Sequence, residues 1–252
     1  MKNNAFTSQN IVEKLVNHYG LPAFLFDVTG NYTFTVKGDK KTKQVELVPY
    51  NRYGELAHLP KHTLLLFQDL WKKHADVVAS RISWHAGYHD KVDARSCTAV
   101  KTTKETASQF LDKYHLMGYA SSASHYALIH EKQIVAMATF SKGRKMDRLE
   151  PNQRSFELVR FATIPFVSIT GGLSKLLTKF TKEHNPGDVM TYIDPLTGET
   201  AGLKRLGFEE IDFTKPVALF VNTKTHERFF KENDGTDLRF ETIGNYKLVK
   251  TF

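Results

Sequence analysis

Residues 155–164, SFELVRFATI, followed by Thr170-Gly171-Gly172 and residues 173–184, LSKLLTKFTKEH, decide how this chain reads. The first run has the apolar and β-branched content of a strand bounded by turn signals. In the second, Leu173, Leu176, Leu177 and Phe180 recur at i, i+3, i+4 and i+7, which gives a helix one clear buried face. Between them, two glycines let backbone N–H groups approach a ligand closely, and the start of the helix adds partial positive charge. Strand, Gly-rich turn and helix make a cradle for an anion, suited to a pyrophosphate. The turn is neither a Walker A loop nor G-x-G-x-x-G, and a tight turn with no ligand is the plain alternative.

The flanking sequence continues this alternation. Downstream come a strand at 188–194, DVMTYID, a short helix at 198–208 closing at Gly207, and strands at 208–213, FEEIDF, and 218–223, ALFVNT. Upstream, CTAVKTT reads as a strand, and Thr103 caps a helix whose Ala107, Phe110 and Leu111 share one face. HYALIHE and QIVAMATFS, parted by Glu131-Lys132, read as a hairpin. The first hundred residues differ. They hold a short amphipathic helix at 9–18, three strands broken at Gly30 and Gly38, the apolar run HTLLLF, and a helix through Leu70, Val77, Val78 and Ile82 that stops at Gly87. The expected class is α+β or α/β: a mixed sheet flanked by helices at 93–252, behind a small α+β region at 1–92.

Composition narrows the function classes. The chain has 252 residues, 41% hydrophobic and 25% charged, which excludes disorder, collagen and low complexity. No apolar run reaches transmembrane length, and MKNNAFTSQN has no apolar secretory core, so a cytoplasmic protein with no membrane partner is expected. A single cysteine, Cys97, excludes an internal disulfide and a Cys-based zinc site; within an apolar strand it reads as a small packed hydrophobe. The net charge of +8 points to an anionic partner, DNA among them, reached through a basic surface.

The Gly-rich turn and helix, the next strand, and then A-x-L-x-x-L-G-F at 201–208 resemble the acyl-CoA-binding half of the GCN5-related N-acetyltransferases over about residues 95–225. The resemblance implies acetyl-CoA or another acyl-CoA as donor. Its pyrophosphate would lie on Ser168, Thr170, Gly171, Gly172, Ser174 and Lys175, and its pantetheine arm along the splayed strand before them. Longer strings, LLLFQDLWKKHADVVASRI, DARSCTAV, FLDKYHLMGY, ELVRFATIP, SITGGLSKLL and NPGDVMTYID, are similar in order and spacing to a module of phage proteins. There it sits behind Vsr-like or homing endonuclease-like nuclease domains, and phage Mom-type DNA adenine modification proteins have a similar fold. This implies a phage origin, the host cytosol, and adenine N6 in DNA as acceptor. The chain has Val167 and Ser168 where the family turn leads with Arg or Gln, and Pro195, Leu196 and Thr197 in place of an Arg-Arg-Trp run. Asp27, Asp39, Lys43, Glu46 and Asp69 make no E-x-K pattern, so residues 1–92 read as a degenerate nuclease-like remnant or an unrelated cap.

Catalytic candidates follow from position and chemistry. Asp194, at a strand's C-terminal end, suits a general base or an amine anchor, with a turn residue before Pro195 as the alternative. Tyr192 suits a proton donor to a leaving thiolate. His115 suits a base, or a partner for exposed helix carbonyls; Ser141 is a lesser candidate. Tyr119 and Arg160 are substrate candidates, Arg160 through phosphate or through pairing with Glu157. Tyr119, Tyr126 and Phe166 are candidates to stack on a flipped base. The His58/His62 and His85/His89 pairs have i, i+4 spacing, but no HExxH motif supports a metal site. The competing functions are a non-catalytic DNA-binding module and an N-acetyltransferase for small amines or proteins.

Overall fold

The computed structural model describes residues 5–38, 42–58, 63–147 and 149–252, and divides into two compact units. Residues 1–89 and 215–243 form the first; residues 90–214 and 244–252 form the second. The sequence boundary at 92/93 falls close to the first crossing, but segment 215–243, read there as part of the second domain, returns to the first unit.

The first unit opens with α1 (Ser8–Asn17), N-capped by Thr7. An antiparallel meander follows: β1 (Phe26–Gly30), β2 (Thr33–Val36) and β3 (Lys43–Val48). The HTLLLF run becomes β4 (Leu64–Phe67), which joins β3 in parallel. It leads into α2 (Gln68–Lys73) and α3 (Ala75–His85), divided at His74. Two carboxylates considered for a nuclease centre are each neutralised by an arginine. Glu46 pairs with Arg52 at 2.8 Å, and Asp69 is fully buried against Arg228. Asp39 and His62, the second member of the His58–His62 pair, lie outside the described residues.

The second unit begins with β5 (Asp90–Asp93) and β6 (Thr98–Lys101). Thr103 Oγ1 accepts from the Thr106 N–H and starts α4 (Lys104–Tyr114), as its sequence requires. The hairpin of β7 (Ser124–His130) and β8 (Gln133–Phe140) turns on Glu131 and Lys132, both at positive φ, the geometry that matches the strands' twist. Then come β9 (Ser155–Thr163), β10 (Val167–Thr170), α5 (Gly172–His184), β11 (Asp188–Ile193), α6 (Ala201–Arg205) and β12 (Glu209–Phe213). The chain adds β13 (Ala218–Asn222), β14 (Glu227–Phe229) and β15 (Leu238–Glu241) to the first unit, then returns as β16 (Tyr246–Thr251).

The main sheet runs β12-β16-β11-β9-β8-β7-β6. All its neighbours are antiparallel except β9 and β11, which α5 connects. The class is thus α+β with a mixed sheet between helices. On one face, Leu176, Leu177 and Phe180 of α5 pack against Tyr126, Leu128, Phe140 and Phe156. Phe180 stacks on Phe140 with centroids 3.8 Å apart. Burying such side chains is worth about 1.5–3 kcal/mol each. On the other face, Ala107, Phe110 and Leu111 of α4 cover Ala127, Met137 and Ala162. Cys97 is buried in the α5-side core. No helix among the described residues is long and apolar enough to cross a membrane.

Candidate functional site

Two irregularities in the main sheet create the site. The parallel pair β9–β11 holds for three residue pairs only, ending at Glu157 opposite Met190. Beyond it Thr191 Oγ1 donates to the Leu158 carbonyl at 2.9 Å, a side chain standing in for the ladder. From there Val159–Thr163 and Tyr192–Ile193 have no register with each other, so the sheet opens as a wedge. The second irregularity lies on the opposite edge of β9. Leu158 faces Phe140 and Arg160 faces Thr139, which leaves Val159 as an extra residue, a β-bulge beside the wedge.

The strand, Gly-rich turn and helix form in the order read from the sequence, with one element added. Phe166, at φ +60, turns the chain after Pro165, and β10 pairs in parallel with β5 before Gly171 is reached. Gly171 is the N-cap of α5 at φ +77, a left-handed conformation that favours glycine. An open depression of about 320 Å³ lies there, lined by Asp93, Ala94, Arg95, Thr170, Gly171, Ser174 and Lys175. Lys175 Nζ donates to the carbonyls of Ala94 (2.8 Å) and Cys97 (2.5 Å), pinning the turn at 94–96 beside the helix start. Arg95 is exposed above it. Arg95 and Lys175 outnumber the one carboxylate of the lining, Asp93, which pairs with Arg95 at 3.4 Å, and with the first-turn N–H groups they leave the depression positive, so these residues fit a diphosphate. Ser168, on β10, does not line the depression.

The other sequence candidates divide by how their polar atoms are engaged. Asp194 Oδ1 accepts from Leu196 N at 2.9 Å and Oδ2 from Thr197 Oγ1 at 3.1 Å, so both carboxylate oxygens hold the turn after β11. Ser141 Oγ accepts the Glu157 N–H at 2.9 Å and secures the end of β8 to β9. His115 Nδ1 accepts the Met117 N–H at 3.1 Å. Tyr192 is exposed on the wedge strand. Burial first, and the charge of Glu157 second, raise its pKa, so it is protonated at neutral pH. Tyr126, considered for base stacking, is fully buried, its hydroxyl donating to Glu183 at 2.7 Å, so no base can reach it. Strand alternation faces it into the core under α5.

No protein-family model matches the chain, and no curated protein matches it. Among solved structures it is similar to the ribosomal-protein-S18-alanine N-acetyltransferase from Escherichia coli, at 12% identity and a TM-score of 0.40, over 62% of this chain and 93% of that one. It is similar to the IAA acetyltransferase from Bacillus cereus, at 12% identity and a TM-score of 0.39, over 62% of this chain and 100% of that one. A third likeness is to Arabidopsis thaliana NAA60 in complex with acetyl-CoA, at 9% identity and a TM-score of 0.41, over 62% of this chain and 99% of that one.

The structure also gives Tyr119, a substrate candidate of the sequence, two partners that the sequence reading passed over, Ser122 and His125, and it places the other substrate candidate, Arg160, on backbone carbonyls. Tyr119 OH and Ser122 Oγ stand 3.3 and 3.1 Å from His125 Nε2, and Ser122 Oγ is 3.3 Å from Tyr119 OH. His125 is buried, and burial, then Lys104 and Lys101, lower its pKa, so its imidazole is neutral at pH 7. Arg160 donates Nε to the Gly118 carbonyl and Nη1 to the Val159 carbonyl, both at 3.0 Å. Neither cluster has a spacing motif; both arise where the loop after α4 brings Gly118, Tyr119 and Ser122 to His125 of β7 and Arg160 of β9.

Proposed function

We propose that this protein is an acyl-CoA-dependent N-acyltransferase of the GCN5-related type. The observation that carries the reading is the wedge between β9 and β11, opening beside a glycine-capped helix start with basic residues around it. A nucleotide-bearing thioester suits that pairing: the N–H groups of the first α5 turn and the charges of Arg95 and Lys175 hold its diphosphate. Its acyl arm follows the resemblance into the wedge, where unpaired strand edges offer N–H donors for a developing oxyanion. The acceptor amine forms its bond to the acyl carbon as the C–S bond breaks, and protonated Tyr192 supplies the proton to the departing thiolate. Glu157, at the last paired position of β9 before the wedge, is the carboxylate proposed to take the proton from the amine. Asp194 serves the turn that ends β11, and His115 and Ser141 anchor loops of the site.

The net charge of +8 supports an anionic acceptor, and an exocyclic amine of DNA, adenine N6 included, is the proposed one. The test is thiol release from acetyl-CoA with duplex DNA or a small amine as acceptor, across a salt series. DNA-dependent release whose apparent affinity falls steeply with salt is expected. Release with small amines alone, flat across salt, removes DNA from the reading and leaves the transferase.

A further inference from the structure

Three residues form one polar row across the sheet on the α4 side. Thr139 on β8 lies opposite His125 on β7 and opposite Arg160 on β9. The pleat puts all three side chains on the same face, beside the apolar patch of Ala127, Met137 and Ala162. Each contributes something a sealed core does not need. Thr139 is fully buried, and its Oγ1 has no hydrogen-bond partner among the described residues. A hydroxyl left in that state costs about 1–3 kcal/mol, and an isosteric valine avoids the cost. Arg160 carries a guanidinium whose two hydrogen bonds end on neutral carbonyls, and none ends on a carboxylate among the described residues. Burial pushes its pKa below the ordinary arginine value, only partly offset by Glu157. His125 stands at the far end of the row with its hydroxyl partners Tyr119 and Ser122. The row is therefore under-satisfied at its centre and cationic on one side, next to the Val159 bulge.

We infer that the His125–Thr139–Arg160 row is a subsite for an oxyanion of the acceptor, a phosphate or a carboxylate carried next to the amine. The inference rests on the acyltransferase reading for the word acceptor, and the oxyanion site itself stands without it. Arg160 supplies the charge, from a guanidinium already oriented by Gly118 and Val159. Thr139 supplies a hydroxyl donor that has no competing partner to give up. The place beside the bulge sets the anion next to the wedge, so the subsite selects amines by what they carry rather than by the amine alone.

Inorganic phosphate and acetate are the probes, titrated separately while the Arg160 Nε–H resonance is followed by nitrogen-resolved NMR. That signal is specific to the row and silent to anion binding at the α5 turn. A saturable shift is expected with at least one probe, phosphate leading if the acceptor is a nucleotide and acetate if it is an amino acid or peptide terminus. Thr139→Val is expected to raise the melting temperature while weakening the phosphate or acetate response roughly threefold to tenfold, the worth of one hydrogen bond. Arg160→Lys is expected to weaken binding further by losing the planar fork. No saturable shift with either probe, an unchanged response in Thr139→Val, or a lower melting temperature for that variant would overturn the inference. A parallel acetyl-CoA titration separates the two readings. Acetyl-CoA binding without an oxyanion response removes the subsite alone; an oxyanion response without acetyl-CoA binding removes the transferase and keeps the subsite.

Discussion

Arg228→Met is expected to destabilise the first unit by about 3–5 kcal/mol, the usual cost of stranding one member of a buried ion pair. Arg228 and Asp69 are 6% and 0% exposed, and the guanidinium meets the carboxylate twice, Nε to Oδ2 at 2.5 Å and Nη2 to Oδ1 at 2.9 Å. Tyr53 closes the cluster by donating to Asp69 Oδ1 at 2.5 Å while its oxygen accepts the Asp69 N–H. Phe67 and Phe240 flank the guanidinium at 4.8 and 5.4 Å and exclude water. Removing the cation leaves a fully buried carboxylate with no opposite charge beside it, a state that costs far more than a buried neutral group. The double variant Asp69→Leu/Arg228→Met removes both charges and is expected to recover most of the loss, because well-packed apolar replacements of buried pairs are often neutral. Hydrogen exchange at the β13 and β15 amides reads the unit directly. A loss below about 1 kcal/mol for the single variant would place the pair in a wetter setting than its burial shows.

The second large effect is expected at Gly171. A valine there must hold φ near +77°, which costs a non-glycine residue about 1–2 kcal/mol and a β-branched one more. The added Cβ would meet Ala94 Cβ at 3.6 Å, ordinary contact, so Gly171→Ala is strained only by its backbone. Valine adds bulk over the first-turn N–H groups where the diphosphate is proposed to sit. Acetyl-CoA affinity is therefore expected to fall about tenfold or more in Gly171→Val, equal to about 1.4 kcal/mol, and less in Gly171→Ala. Gly172 is the control for packing rather than binding. A Cβ there lies 2.9 Å from Ile169 Cγ2, so Gly172→Val perturbs the core under α5 and is expected to lower stability first. Calorimetric titration of each variant checks the order. Equal affinity in the wild type and a folded Gly171→Val would remove the turn from the donor site.

Much of this was legible in the residues because the signals were local. The Leu173–Phe180 stripe gave α5, Thr103 gave the cap of α4, Glu131-Lys132 gave the hairpin, and Gly171-Gly172 gave the turn that starts α5. What could not be read depended on partners far apart in sequence. Asp69 finds Arg228 only because residues 215–243 return to the first unit, and no periodicity announces that return. The strand at Tyr246–Thr251 threads between β11 and β12, an order set by pairing and not by its own composition. The break between β9 and β10 rests on Phe166 at positive φ, a conformation that its side chain does not advertise. The Thr139 row depends on the register of three strands, which pairs His125 with Thr139 and Thr139 with Arg160, and the bulge at Val159 begins only beyond it. Asp194 shows the reverse: its place at the end of a strand suggested chemistry, and its two turn hydrogen bonds account for it structurally.

The central claim is that the β9–β11 wedge and the α5 turn together hold an acyl-CoA. The most direct measurement is a titration of the wild-type protein with acetyl-CoA followed residue by residue by NMR. One saturable site is expected, with the largest shifts at the Gly171–Ser174 amides and along Val159–Ala162 and Tyr192. Failure to saturate, or shifts confined to residues away from both the turn and the wedge, would contradict it.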